Sequence, residues 1–223
     1  MNSVHSELDP LRRLILAYAR SEDRDHYSLS FGLDFRLAEI IRSTSELLIG
    51  QMRLTWWRDN LTKENVAKPA GEPLIELLQS LENEDDVSSG LVKLVDGWEM
   101  LLADFPWDDR QFEQYSSLRG GGAFRSALGG VTELSQDQLR AAQGWALWDF
   151  ARHCSDENMR TEAFSRSCEI FDKLSQLKFD RNGRPLSILC KLAARDVKKR
   201  ELSVDLYRPA VAAVIIWHGL TGL

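Results

Sequence analysis

Along most of this chain apolar side chains recur every third and fourth residue, a spacing that suits helices and does not suit strands. Asp9-Pro10 leads into Leu11, Leu14, Ile15 and Tyr18, which reads as an N-cap, a proline at the first helical position and one apolar stripe. A second helix is expected from roughly Phe31 to Thr44. A third begins near Glu46, with Leu47, Gly50, Leu54, Trp57 and Leu61 on one face. Lys68 to Pro73 is a loop by composition. Pro73 opens a short helix through Leu74, Leu77, Leu78 and Leu81, and the acidic run Glu82 to Asp86 is read as its solvated end. Leu91, Leu94, Val95, Trp98, Leu101 and Leu102 make the next helix. Another starts at Asp108-Asp109, carries Phe112, Tyr115 and Leu118, and meets Gly120-Gly121-Gly122. Ser135 caps a long helix reaching Arg152, and a further helix is expected from Glu157 to about Leu177. Asp180 to Gly183 is a turn, and two more helical stretches follow. No run of β-branched residues alternates as a strand requires. The expectation is an all-α chain: one helical bundle over residues 1–223, without repeats.

Of the 223 residues, 43% are hydrophobic and 28% charged, enough apolar surface to offset the ordering entropy that keeps disordered chains open. Lys and Arg number 28 against 34 Asp and Glu, a net charge of −6. That balance argues against nucleic-acid binding, which needs a basic face to displace counterions. Cys154, Cys168 and Cys190 are odd in number and widely spaced, so neither a disulfide framework nor a structural zinc site is expected. The residues from Met1 to Arg13 do not read as a signal peptide. The longest apolar run, Ala210 to Trp217, is far shorter than the roughly 20 residues that span a bilayer. A cytoplasmic protein with at most peripheral membrane contact is expected.

The stretch Gly50-Gln-Met-Arg-Leu-Thr-Trp-Trp-Arg-Asp-Asn-Leu61 resembles the "IRLxWWRDxL" helix of the squalene/phytoene synthase family. The likeness is strongest to its divergent branch, which includes a mitochondrial complex I assembly factor. Leu37-Ala38, Ser45-Glu46 and Pro73-Leu74 fall where that branch has similar residues. Val95 to Glu99 resembles its "(I/V)Dxxexd" helix, Tyr115 to Gly122 its "YcxxxAGxxG" element and Gly144 to Arg152 its "GxAxxLxxxLR" helix. The matches run in order over about residues 9 to 190. The resemblance implies the trans-isoprenyl diphosphate synthase (terpenoid synthase) fold, an all-α cup around an apolar cavity.

Active members of such a family hold Mg²⁺ between two Asp-rich helices, because ionising a diphosphate develops charge that clustered hard cations must stabilise. This sequence departs from that pattern twice. The first element reads Leu33-Asp-Phe-Arg-Leu-Ala-Glu-Ile-Ile-Arg42, where Asp34 and Glu39 are five apart and point to different faces, and Arg36 and Arg42 add positive charge where metals need negative. The second reads Ala151-Arg-His-Cys-Ser-Asp-Glu157, where Arg152 matches, His153 replaces an aspartate, and Asp156 and Glu157 hold the last acidic positions. No cofactor is expected; under the alternative of an active Mg²⁺-dependent prenyl transferase, Asp156 and Glu157 would be the surviving ligands.

The resemblance makes Arg53, Trp56, Arg58, Tyr115 and Arg152 the ligand-binding candidates. Each has a plainer reading. Trp57 lies on the apolar stripe, whereas Trp56 lines the cavity or covers a neighbouring helix. Arg53 and Arg58 pair with a diphosphate or with carboxylates such as Asp59. Tyr115 orients a phosphate, or is a core ring whose hydroxyl bonds a backbone carbonyl. The triple glycine serves close helix contact, a kink or ligand room. Asp149, Arg152 and Asp156, spaced i, i+3, i+7, read as a self-neutralised network. His153-Cys154 diverge on a helix and make no catalytic pair, and His218 is read as a surface or helix-end residue. Function is expected to be non-catalytic or weakly catalytic: an isoprenoid or lipid-like ligand, or a protein partner in assembly of a membrane-associated complex.

Overall fold

The computed structural model describes residues 4, 8–63, 68–130, 133–174, 177–203 and 205–221. Among them there are ten α-helices and no strand: α1 (Pro10–Leu16), α2 (Arg24–Ser43), α3 (Leu47–Thr62), α4 (Pro73–Gln79), α5 (Glu84–Glu99), α6 (Asp109–Ala127), α7 (Gln136–His153), α8 (Glu157–Asp172), α9 (Arg184–Lys199) and α10 (Pro209–Thr221). The capping residues act as their types require. The Asp9 carboxylate accepts from the Leu11 and Arg12 amides at 2.9 and 3.0 Å. Asp108 with Gln111, and Ser135 with Gln138, form reciprocal capping boxes.

Several boundaries differ from expectation. Glu84, Asp85 and Asp86 do not end α4; they form the first turn of α5, where carboxylates meet the positive end of the helix dipole. The helix after Asp156 stops at Asp172, short of Leu177, and residues 175 and 176 lie outside the described ones. Asp156 is not on the face of α7 with Asp149 and Arg152, because α7 ends at His153; its carboxylate instead caps α8. His218 does lie at a helix end, in the last turn of α10, but it is buried against Ser187, its Nε2 3.1 Å from the serine Oγ, and not at the surface.

One apolar core runs from Val4 to Ile215. At its centre α5, α6 and α7 pack side by side, with α2 crossing α6. The triple glycine explains how closely. Successive helical residues turn about 100°, so Gly120 and Gly122 face nearly opposite sides. A Cβ on Gly120 would lie 2.3 Å from the Ala142 carbonyl oxygen of α7, and one on Gly122 would lie 2.7 Å from the Gly90 oxygen of α5. Gly97, two turns after Gly90, touches the Arg119 backbone in the same way. Close helix contact is therefore the reason for Gly120 and Gly122, while a Cβ on Gly121 would meet nothing, and α6 passes through all three unbroken. Their consequence is the position of Arg119 in the middle of the bundle.

Candidate functional site

The helices leave a cavity of ≈ 460 Å³, open on one side. Its wall is largely aromatic and aliphatic: Phe35, Ala38 and Ile41 of α2, Trp98 of α5, Trp145, Trp148 and Phe150 of α7, and Leu189 and Leu192 of α9. Asp9, Leu11 and Arg12 at one end of the chain, and Leu206 and Tyr207 near the other, complete it. The Tyr207 hydroxyl lies 3.5 Å from the Asp9 carboxylate, to which it donates. Trp107 stacks on Phe150 behind the wall, with centroids 5.4 Å apart.

Charged groups meet beneath this apolar surface. Asp34 is buried on α2, amid the leucines of its stripe. Its Oδ1 accepts from Trp98 Nε1 at 2.7 Å and Arg119 Nε at 3.1 Å; its Oδ2 accepts from Arg12 at 2.8 Å and Arg119 Nη2 at 3.2 Å. Four donors fill the four acceptor sites of a carboxylate. The same Arg119 Nη2 reaches Asp149 Oδ2 at 2.5 Å, and Nη1 donates to the Tyr115 hydroxyl at 2.9 Å. The Trp98 ring covers its guanidinium at 4.4 Å. The other Asp149 oxygen faces Arg152 at 3.9 Å and His153 at 3.7 Å. Arg152 lies over Trp148 and donates from Nε to the Ser203 carbonyl at 3.4 Å.

Pairing decides the protonation states. Burial by itself would raise the Asp34 pKa, but the guanidiniums of Arg119 and Arg12 outweigh it and hold the carboxyl below its usual range. Burial opposes ionisation at Asp149 too, and Arg119, His153 and Arg12 bring its pKa far down. Burial pushes the Tyr115 hydroxyl well up, so it stays neutral. Carboxyls with depressed native pKa values contribute stability that is complete above the unfolded value of about 3.9 and is lost as pH falls through the native values. Denaturant titrations should therefore give a plateau down to about pH 4 and a steep loss below it. An unchanged midpoint at pH 3 would contradict this network.

Of the candidates named from sequence, the structure brings two together: Tyr115 and Arg152 both line the cavity. Tyr115 is a buried ring, yet its hydroxyl meets Arg119 rather than a backbone carbonyl. The other three do not reach the cavity. Trp57 is buried, but Trp56 is exposed and packs edge-to-face on Trp57. Arg53 is exposed and donates to Ser43 and Thr44. Arg58 binds Asp96 at 2.8 Å and also Glu99, not Asp59. Cys154 and Ser155 still line the cavity, but Asp156 and Glu157, just beyond them, do not: Asp156 caps α8 and Glu157 projects into solvent.

A magnesium cluster does not fit these residues. Asp34 has no acceptor site left, Asp149 is held by Arg119, and no group of three or more His, Cys, Asp or Glu side chains converges among the described residues. Sequence reasoning missed Arg119 and Arg12, the two cations that explain Asp34. A signal was present. A carboxylate inside a leucine stripe must find a counter-charge, and an arginine four residues after Tyr115 and just before three glycines is the side chain a close helix contact would bury.

No helix among the described residues is long and apolar enough to cross a membrane. No protein-family profile, curated protein or solved structure matches this chain.

Proposed function

We propose that this protein binds an isoprenoid or lipid-like molecule in its central cavity and performs no magnesium-dependent prenyl transfer, as a squalene/phytoene synthase-like scaffold without the metal chemistry. One observation carries the reading: the cavity has an aromatic wall suited to an apolar chain, while the carboxylates beneath it are already neutralised by arginines. Cavities of this size, mostly apolar with a few convergent polar groups, are where small ligands are held. The motif order from Gly50 to Arg152 supports the same scaffold.

A ligand that binds only the native state stabilises it by about 2.7 kcal/mol at a hundredfold excess over Kd. For a chain of this length that is a rise in Tm of about 5–10 °C. C15 isoprenoids and C16 lipids should give such a rise, and Ala38→Trp, which fills the cavity, should abolish it while the far-UV spectrum stays helical. Magnesium with pyrophosphate should give none. If no isoprenoid or lipid raises Tm, the binding reading falls; if farnesyl diphosphate turns over with Mg²⁺, the non-catalytic part falls.

A further inference from the structure

The charges around the cavity say what the polar end of its ligand must be. Asp9, Asp34 and Asp149 supply three negative charges. Arg12, Arg119 and Arg152 supply three positive ones. Arg12 joins Asp9 to Asp34, Arg119 joins Asp34 to Asp149, and Arg152 faces Asp149, so the six form one neutral chain. Arg42, in the last turn of α2, is the remaining arginine of the wall, and His153, which also lines it, faces Asp149 at 3.7 Å. Arg42 is exposed, and no carboxylate among the described residues pairs with it. Arg152 is only loosely engaged among the described residues: 3.9 Å from Asp149 is beyond hydrogen-bond length, and its bond to the Ser203 carbonyl is long. Two guanidiniums thus border the cavity with donors to spare and an excess of one positive charge.

On the reading that the cavity holds an apolar chain, we infer that its ligand ends in a single negative charge, a carboxylate on an isoprenoid or fatty chain, and not in a diphosphate. A guanidinium matches a carboxylate with two parallel hydrogen bonds. A diphosphate would bring further negative charge against a wall that offers one net positive charge and, among the described residues, no cluster of carboxylates to hold a metal ion. Charge left uncompensated beside an apolar surface is strongly unfavourable. A neutral alcohol fits the chain but brings neither a balancing charge nor the paired oxygens that a guanidinium meets with two parallel bonds.

The test is a titration of the full chain with C15 isoprenoids that share one tail and differ at the head (alcohol, carboxylate, diphosphate), followed by tryptophan fluorescence, since Trp98, Trp145 and Trp148 line the cavity. Palmitate, added as a fourth ligand, separates a fatty from an isoprenoid source. The carboxylate is expected to bind at least about tenfold tighter than the alcohol, as charge-assisted hydrogen bonds imply. Arg42→Gln, an exposed position, should shrink that advantage to about threefold or less, with the helical spectrum unchanged. Tightest binding by the diphosphate, or a preference that survives Arg42→Gln, overturns the inference and leaves the binding reading standing. If no head group binds, both fall together.

Discussion

Replacing Arg119 with methionine should lower the melting temperature by roughly 6–20 °C. Removing one partner of a buried ion pair leaves a charge without compensation and costs about 3–5 kcal/mol. In a chain of this length each kcal/mol moves Tm by about 2–4 °C. Here the loss has two parts: Asp34 keeps Arg12 and Trp98, but Asp149 keeps only the distant Arg152 and His153. Arg119→Lys should recover only part of the stability. An ammonium has the charge but not the planar fork that meets Asp34, Asp149 and Tyr115 together. Adding Asp149→Asn to Arg119→Met should be much less harmful than the sum of the two single changes, because the second removes the charge that the first exposed. Additive losses, or a methionine variant that melts with the wild type, would show that this cluster does not stabilise the fold.

Neighbouring glycines should respond to alanine in opposite directions. Gly120→Ala places a methyl group 2.3 Å from the Ala142 carbonyl oxygen and 2.5 Å from its carbon, and backbone atoms of a packed helix cannot yield as a flexible side chain would. Overpacking of that kind costs about 1–3 kcal/mol and more where helices must separate. Gly121→Ala meets nothing within 4 Å and improves helix propensity, so it should stabilise by about 0.5–1 kcal/mol. Thermal denaturation of the two variants settles the matter: equal effects would mean that α6 and α7 are not in close contact.

Local signals made the helices legible. Asp9, Asp108 and Ser135 cap where their types predict, and the 3.6-residue stripes find the core. Boundaries failed where one residue type serves two ends, as with the acidic run that opens α5. The site was half legible. Tyr115 and Arg152 carry recognisable contexts, but Asp34 looked misplaced because spacing within one helix says nothing about a partner 85 residues away. Arg58 and Trp56 sit in the most distinctive stretch of the sequence, yet they serve α3 and its neighbours rather than the cavity. Local words in a sequence report helix faces; only packing across α2, α6 and α7 reports which charges meet.

The cavity wall joins the segment around Asp9 to the segment around Tyr207, residues 198 positions apart. Contacts of that separation carry a large loop-closure entropy, so they gain little until the intervening helices are already in place. The cavity is therefore among the last parts of the molecule to assemble, and it should be the first to come apart under mild denaturant, while α5, α6 and α7 still exchange their amide protons slowly.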